Sequence, residues 1–114
     1  MEEVVRGNVR KPVKITVLRR MTTTEIYPSM PEGVVADAQP VCQKFQEGQS
    51  FIVDSTGNKP ANFPCEWAWM DLSAIIMGMQ MGAHFIRFRD GLQYVCCTDG
   101  LRPVFFKIER ISDA

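Results

Sequence analysis

From Val13 to Arg20 the chain alternates, with Val13, Ile15 and Val17 on one side and Lys14, Thr16 and Leu18 on the other. A period of two predicts a half-buried strand. Val41-Cys42-Gln43-Lys44-Phe45 leads through a turn at Gln46-Glu47-Gly48-Gln49 into a second strand, Ser50-Phe51-Ile52-Val53-Asp54. Phe85-Ile86-Arg87-Phe88-Arg89 is a candidate short strand, followed by a turn at Asp90-Gly91. Near the C-terminus two runs rich in β-branched and aromatic residues flank Asp99-Gly100, a dipeptide suited to a two-residue hairpin turn. Such a turn sets Thr98 opposite Leu101, Cys97 opposite Arg102, Cys96 opposite Pro103 and Val95 opposite Val104.

Between these strands the period changes. Trp67 through Met81 is apolar almost all round, with Trp69, Met70, Leu72, Ala74, Ile75, Ile76, Met77 and Met79. It predicts a helix from about Pro64 to Met81, with Asn62 or Phe63 at the N-cap and Gly82 as the C-terminal cap. A helix of this kind is buried, in its own domain or against another subunit. From Met21 to Pro40 regular pattern is lost to Thr22-Thr23-Thr24 and to Pro28, Pro31 and Pro40. Glu25, Ile26 and Tyr27 suit a helical turn or a short strand, and a connection this long often carries function or partner contacts. Ser55 to Pro60 is a loop, and residues 1–11 form a loose arm or an edge strand for a partner. The expected architecture is a single α+β domain over residues 1–114. A mostly antiparallel sheet or small open barrel of about five strands packs on one apolar helix.

Composition narrows the function. Thirteen basic residues balance thirteen acidic ones, which argues against nucleic acid as partner because counterion displacement needs excess Lys and Arg. Arg10-Lys11, Lys14 and Arg19-Arg20 read as solvated strand ends. No segment reaches the roughly 18 apolar residues of a membrane span, and Met1 to Arg6 has no secretory pattern. The expected location is therefore the cytoplasm, where cysteines stay reduced. Exposed Met and Trp on a helix too apolar to cover fully predict a homo-oligomer.

Candidate chemistry centres on Cys42, Cys65, Cys96 and Cys97, all at expected element ends that a compact fold can gather. With His84 they would offer soft ligands for zinc, copper or an iron–sulfur cluster. No C-x-x-C occurs and the spacings match no standard metal pattern. Cys96 and Cys97 point to opposite faces of a strand, so one of them belongs to the core. Cys65 has the best case as a nucleophile, because a helix N-terminus favours thiolate. Asp99 and Arg102 flank the turn; a simple turn role accounts for them, and a site role would have Arg102 hold an anion. His84 reads as a partner for the helix C-terminus, and Glu66 and Asp71 lie about 140° apart around the helix, so that at most one of them shares the Cys65 neighbourhood. Nucleotide-loop and zincin motifs are absent from the sequence.

Lys14 to Leu18, Cys42 with Phe45 to Val53, Cys65-Glu66-Trp67-Ala68-Trp69 and Cys96 to Ile108 together resemble a family of small prokaryotic proteins without an agreed activity, many from anaerobes. The resemblance runs from about Val13 to Ile111, and Cys-Cys-Thr-Asp-Gly-x-Arg-Pro is its most specific block. It implies an intact single domain, with Cys42, Cys65, Cys96, Cys97, Asp99 and Arg102 as the positions of interest. Ala83-His84-Phe85 departs from the family pattern, which weakens any role for His84. Three functions follow: an intracellular domain holding a soft metal or redox centre through its cysteines, a thiol enzyme using Cys65, or an interaction module without a small-molecule site.

Overall fold

The computed structural model describes residues 10–35 and 40–111; most of the expected N-terminal arm lies outside them. The element order is β1 (Val13–Arg20), α1 (Thr23–Ile26), β2 (Ser50–Val53), α2 (Glu66–Gln80), β3 (Leu92–Cys96) and β4 (Val104–Arg110). The strands form one antiparallel sheet in the order β2-β1-β4-β3, with α2 packed on one face. The fold is α+β, as the patterns predict.

Alternation decides which side of the sheet is covered. Val13, Ile15 and Val17 of β1, Phe51 and Val53 of β2, and Val104, Phe106 and Ile108 of β4 all point inward and are buried. Register keeps them together: Ile15 pairs with both Phe51 and Ile108, and Val17 with Phe106. At the end of β1 a bulge between Val17 and Arg19 leaves Leu18 unpaired on the outer face, where it stays exposed.

Rings close the core across the layers. Phe45, from the loop before β2, meets Phe106 at 5.2 Å and Phe63 at 5.4 Å, and Phe63 meets Phe51 at 5.0 Å, all edge-on. Edge-to-face packing of this kind adds about 0.5–1.5 kcal/mol per pair beyond burial. Phe45 and Phe63 are thus the anchors of two long loops.

The helix presents Ala68, Leu72, Ile76, Met79 and Gln80 to the core. Only this stripe is buried, so the expectation of a helix buried all round is corrected for the single chain. Its end follows the sequence reading: Gly82 has φ +99°, its N–H bonds to Met79 at 3.1 Å and that of Ala83 to Gly78 at 2.8 Å. That is a Schellman cap. Its start does not. The N-cap is Cys65, later than Asn62 or Phe63, because Phe63 is drawn into the aromatic cluster and Pro64 precedes the cap.

Two further expectations change. Phe85 to Arg89 forms a turn, with Phe88 N–H bonding to the Phe85 carbonyl and His84 Nε2 donating to the Phe88 carbonyl at 2.7 Å; the described sheet has four strands, not five. His84 therefore closes this turn instead of serving the last carbonyls of α2. In the hairpin, Cys96 lies opposite Phe105 and Val95 opposite Phe106, a shift of two residues from the expected register. The connection is a seven-residue loop, Cys97 to Pro103. Asp99 accepts from the backbone N–H of Leu101 at 2.9 Å and of Arg102 at 3.0 Å, an Asx-type turn. Neither Asp99 nor Gly100 takes positive φ, and Pro103 has no N–H to give to the ladder.

Early in the chain, α1 starts with a capping box: Thr22 accepts from Glu25 N–H, and Glu25 accepts from Thr22 N–H at 2.7 Å. The short helix braces the hairpin loop. Thr23 Oγ1 donates to the Leu101 carbonyl at 2.9 Å, and the Tyr27 hydroxyl to that of Gly100 at 2.9 Å.

Candidate functional site

Three segments, remote in sequence, meet at one end of the sheet. They bring Cys42, Gln43 and Lys44, then Cys65 and Trp67, then Asp99 and Arg102 around a cleft of about 280 Å³. The meeting has a physical cause. Phe45 follows Cys42 by three positions and Phe63 precedes Cys65 by two, and contact between those two rings draws their loops together.

Each wall is then tied down. Arg20 Nη1 donates to the Cys42 carbonyl at 3.1 Å while its Nε pairs with Glu47 at 3.0 Å. At the opposite wall Cys65 caps α2, its Sγ accepting from Ala68 N–H at 3.4 Å, and Lys59 pairs with Glu66 beside it. The third wall is held by a chain of polar contacts. Trp67 Nε1 donates to Thr98 Oγ1 at 2.6 Å, and Thr98 donates from Oγ1 at 3.1 Å and from its backbone at 2.8 Å to the Asp71 carboxylate. Asp71 thus serves the site through the loop and not through the Cys65 neighbourhood. Asp99 stands 3.9 Å from Arg102 Nε.

The cleft offers two thiols, two cations and one carboxylate. Lys44 and Arg102 outnumber Asp99, and the N-terminus of α2 adds a partial positive charge beside Cys65. This balance favours an anionic guest, and Cys65 is part of the lining that such a guest would meet.

Of the expected site residues, the structure brings together Cys42, Cys65, Asp99 and Arg102. Cys97 packs against the core beneath them. Burial pushes its thiol above the ordinary value of 9.0, opposed by the backbone N–H groups of Asp99 and Val104 and reinforced by the charges of Asp99 and Cys42. Cys96 points away, into an apolar groove of about 240 Å³ on the outer sheet face with Leu18, Tyr94 and Phe105. The strand alternation therefore splits the four thiols between two faces. They do not form one ligand set for zinc, copper or an iron–sulfur cluster, and among the described residues no group of three or more His, Cys, Asp or Glu is placed to hold a metal ion. His84 is not among the residues that line the cleft.

Lys44, Gln43, Trp67 and the Thr98–Asp71 link were not singled out as site residues from the sequence. One signal was there: Asp71 is a carboxylate in the middle of a mostly apolar helix, and such a group asks for a partner. No helix among the described residues is long and apolar enough to cross a membrane. No family model, curated protein or solved structure matches this chain.

Proposed function

We propose that this chain is a small cytoplasmic domain, working as a homo-oligomer, that binds a small anionic molecule in the cleft and acts on it through Cys65. The observation that carries the reading is the convergence of Cys42, Cys65, Asp99 and Arg102 on one cleft together with Lys44. Cys65 is the nucleophile, Lys44 and Arg102 attract and hold the anion, and Asp99 orients Arg102. Cys42 supplies a second thiol across the cleft. Four free cysteines support a reducing compartment. The C-x-W-A-W and C-C-T-D-G-x-R-P motifs meet here, Cys65 and Trp67 from one and Asp99 and Arg102 from the other. That meeting favours treating the two motifs as one functional unit.

A pair of small alkylating agents tests the reading. Iodoacetate and iodoacetamide both turn the thiolate into a thioether and release iodide, but only the first is an anion. At neutral pH Cys65 should be modified first, and iodoacetate should gain about tenfold over iodoacetamide relative to free cysteine, as expected for local positive potential. Arg102→Gln and Lys44→Gln should each erode that preference, and Cys65→Ser should remove the label. An inert Cys65, or equal preference in wild type and both variants, sinks the proposal. Elemental analysis of anaerobically purified protein addresses the rival reading: stoichiometric zinc, copper or iron would favour a soft-metal centre. Inert thiols without metal would favour an interaction module.

A further inference from the structure

Helix α2 carries two apolar stripes on opposite sides. The inner one is the core stripe of Ala68, Leu72, Ile76 and Met79. The outer one is Trp67, Met70, Ala74, Met77 and Met81, every member exposed. Its four large side chains are 55%, 74%, 53% and 59% exposed in chain order. Successive steps of three and four residues are the spacing of a and d positions in a coiled coil, a seam that fits another helix lying alongside.

We propose that this seam pairs with the same seam of a second copy, the two helices antiparallel and crossing at Ala74. The proposal rests on the homo-oligomer reading and names its surface. Antiparallel pairing about Ala74 sets Trp67 against Met81 of the second copy and Met70 against its Met77, so that each contact includes a pliable thioether. The smallest side chain then falls where the axes come closest. Parallel pairing would stack Trp67 on its own copy and align the two helix dipoles. The arrangement is isologous, the commonest symmetry of a soluble dimer.

Area and charge favour a second copy as occupant. The outer stripe offers on the order of 500 Å² per copy, so a pair would bury about 1,000 Å², the lower bound for a specific interface. The charged residues of α2 are Glu66 and Asp71, both acidic, and Asp71 is engaged with Thr98. A helix lying on a lipid surface is instead rich in Lys and Arg on its polar side. Trp67 also lines the cleft, so pairing would bring the second copy to the rim of each cleft, one at either end of the dimer.

Sedimentation of the full chain in reductant, across low to high micromolar concentration, tests this. The mass should rise from one 12.9 kDa chain to two. Met77→Glu should weaken association by about 100-fold, as for loss of a central contact, with the helical circular dichroism retained. The double variant Met70→Glu with Met77→Lys should regain association, because antiparallel pairing opposes unlike charges and parallel pairing opposes like ones. A monomer at every concentration overturns self-association itself, and pelleting of that monomer with phosphatidylcholine–phosphatidylserine vesicles would assign the stripe to lipid. A dimer untouched by Met77→Glu overturns the seam while leaving the oligomer. Failure of the double variant to recover overturns the antiparallel crossing.

Discussion

The two sides of α2 are nearly matched in hydrophobicity and opposite in fate. Leu72 and Ile76 are sealed in the core between the helix and the sheet, while Met70 and Met77 on the far side stand in solvent. Residue type does not separate them: methionine occurs on both, buried at Met79 and exposed at Met77. What separates them is the presence of a sheet on one side only. Hydrophobicity along a helix therefore reports how many surfaces it can cover, and the fold of one chain uses only the first. The sheet repeats the contrast with Cys97 turned to the core and Cys96 to the outer groove.

The contrast is sharpest in stability. Leu72→Ala should cost about 3 kcal/mol, within the usual range for a buried leucine, whereas Met77→Ala in dilute protein should change stability by less than about 0.5 kcal/mol. Urea unfolding of both variants at low protein concentration checks this, and equal losses would erase the distinction. Asp71 lies between the stripes and ties α2 to the hairpin loop. Asp71→Ala should cost about 1–2 kcal/mol, as for loss of hydrogen bonds to a charged group, and should slow iodoacetate labelling of Cys65 by freeing the loop. Unchanged stability and labelling would show that the loop holds its shape without α2.

Smaller effects follow from titration. Cys97 has its folded pKa raised by burial, so the folded state holds its proton longer than the unfolded chain. Its contribution is complete below the ordinary 9.0 and is lost as pH rises through the raised value. Unfolding curves should thus show an alkaline decline above pH 9.0 that Cys97→Ala flattens and Cys96→Ala does not. Glu47 behaves in reverse. Hydrogen bonds from the Arg20 backbone and side chain hold its carboxyl below the ordinary 4.5, so its contribution is present above that value and lost as pH falls through the lowered one. Glu47→Gln should remove a slight acid-side slope, the smallest effect here because the group is exposed.

Much of this was legible in local pattern. The period of two in β1 and β2, the helix ending at Gly82, and the turns at Gly48 and Gly91 need only near neighbours to specify them. The hairpin register was not legible, because Asp99-Gly100 reads as a tight turn until Thr98 is claimed by Asp71 and Leu101 and Gly100 by α1. The strand expected at Phe85 to Arg89 failed for a related reason. Its alternation has no neighbouring strand to pair with, and Ile86 is left almost wholly exposed. Placing the cysteines at element ends anticipated that Cys42 and Cys65 would meet. It could not show which of the four would be left out, since strand parity matters only once the covered face is known.

Trp67 sits where two of these stories touch: its ring faces solvent while its indole nitrogen is tethered to Thr98. Trp69, the other tryptophan, packs edge-on to Phe63 at 5.8 Å. The chain therefore carries a built-in optical gauge. Light emitted from Trp67 should shift whenever a guest fills the neighbouring hollow or a second molecule covers the ring, against a steady background from Trp69.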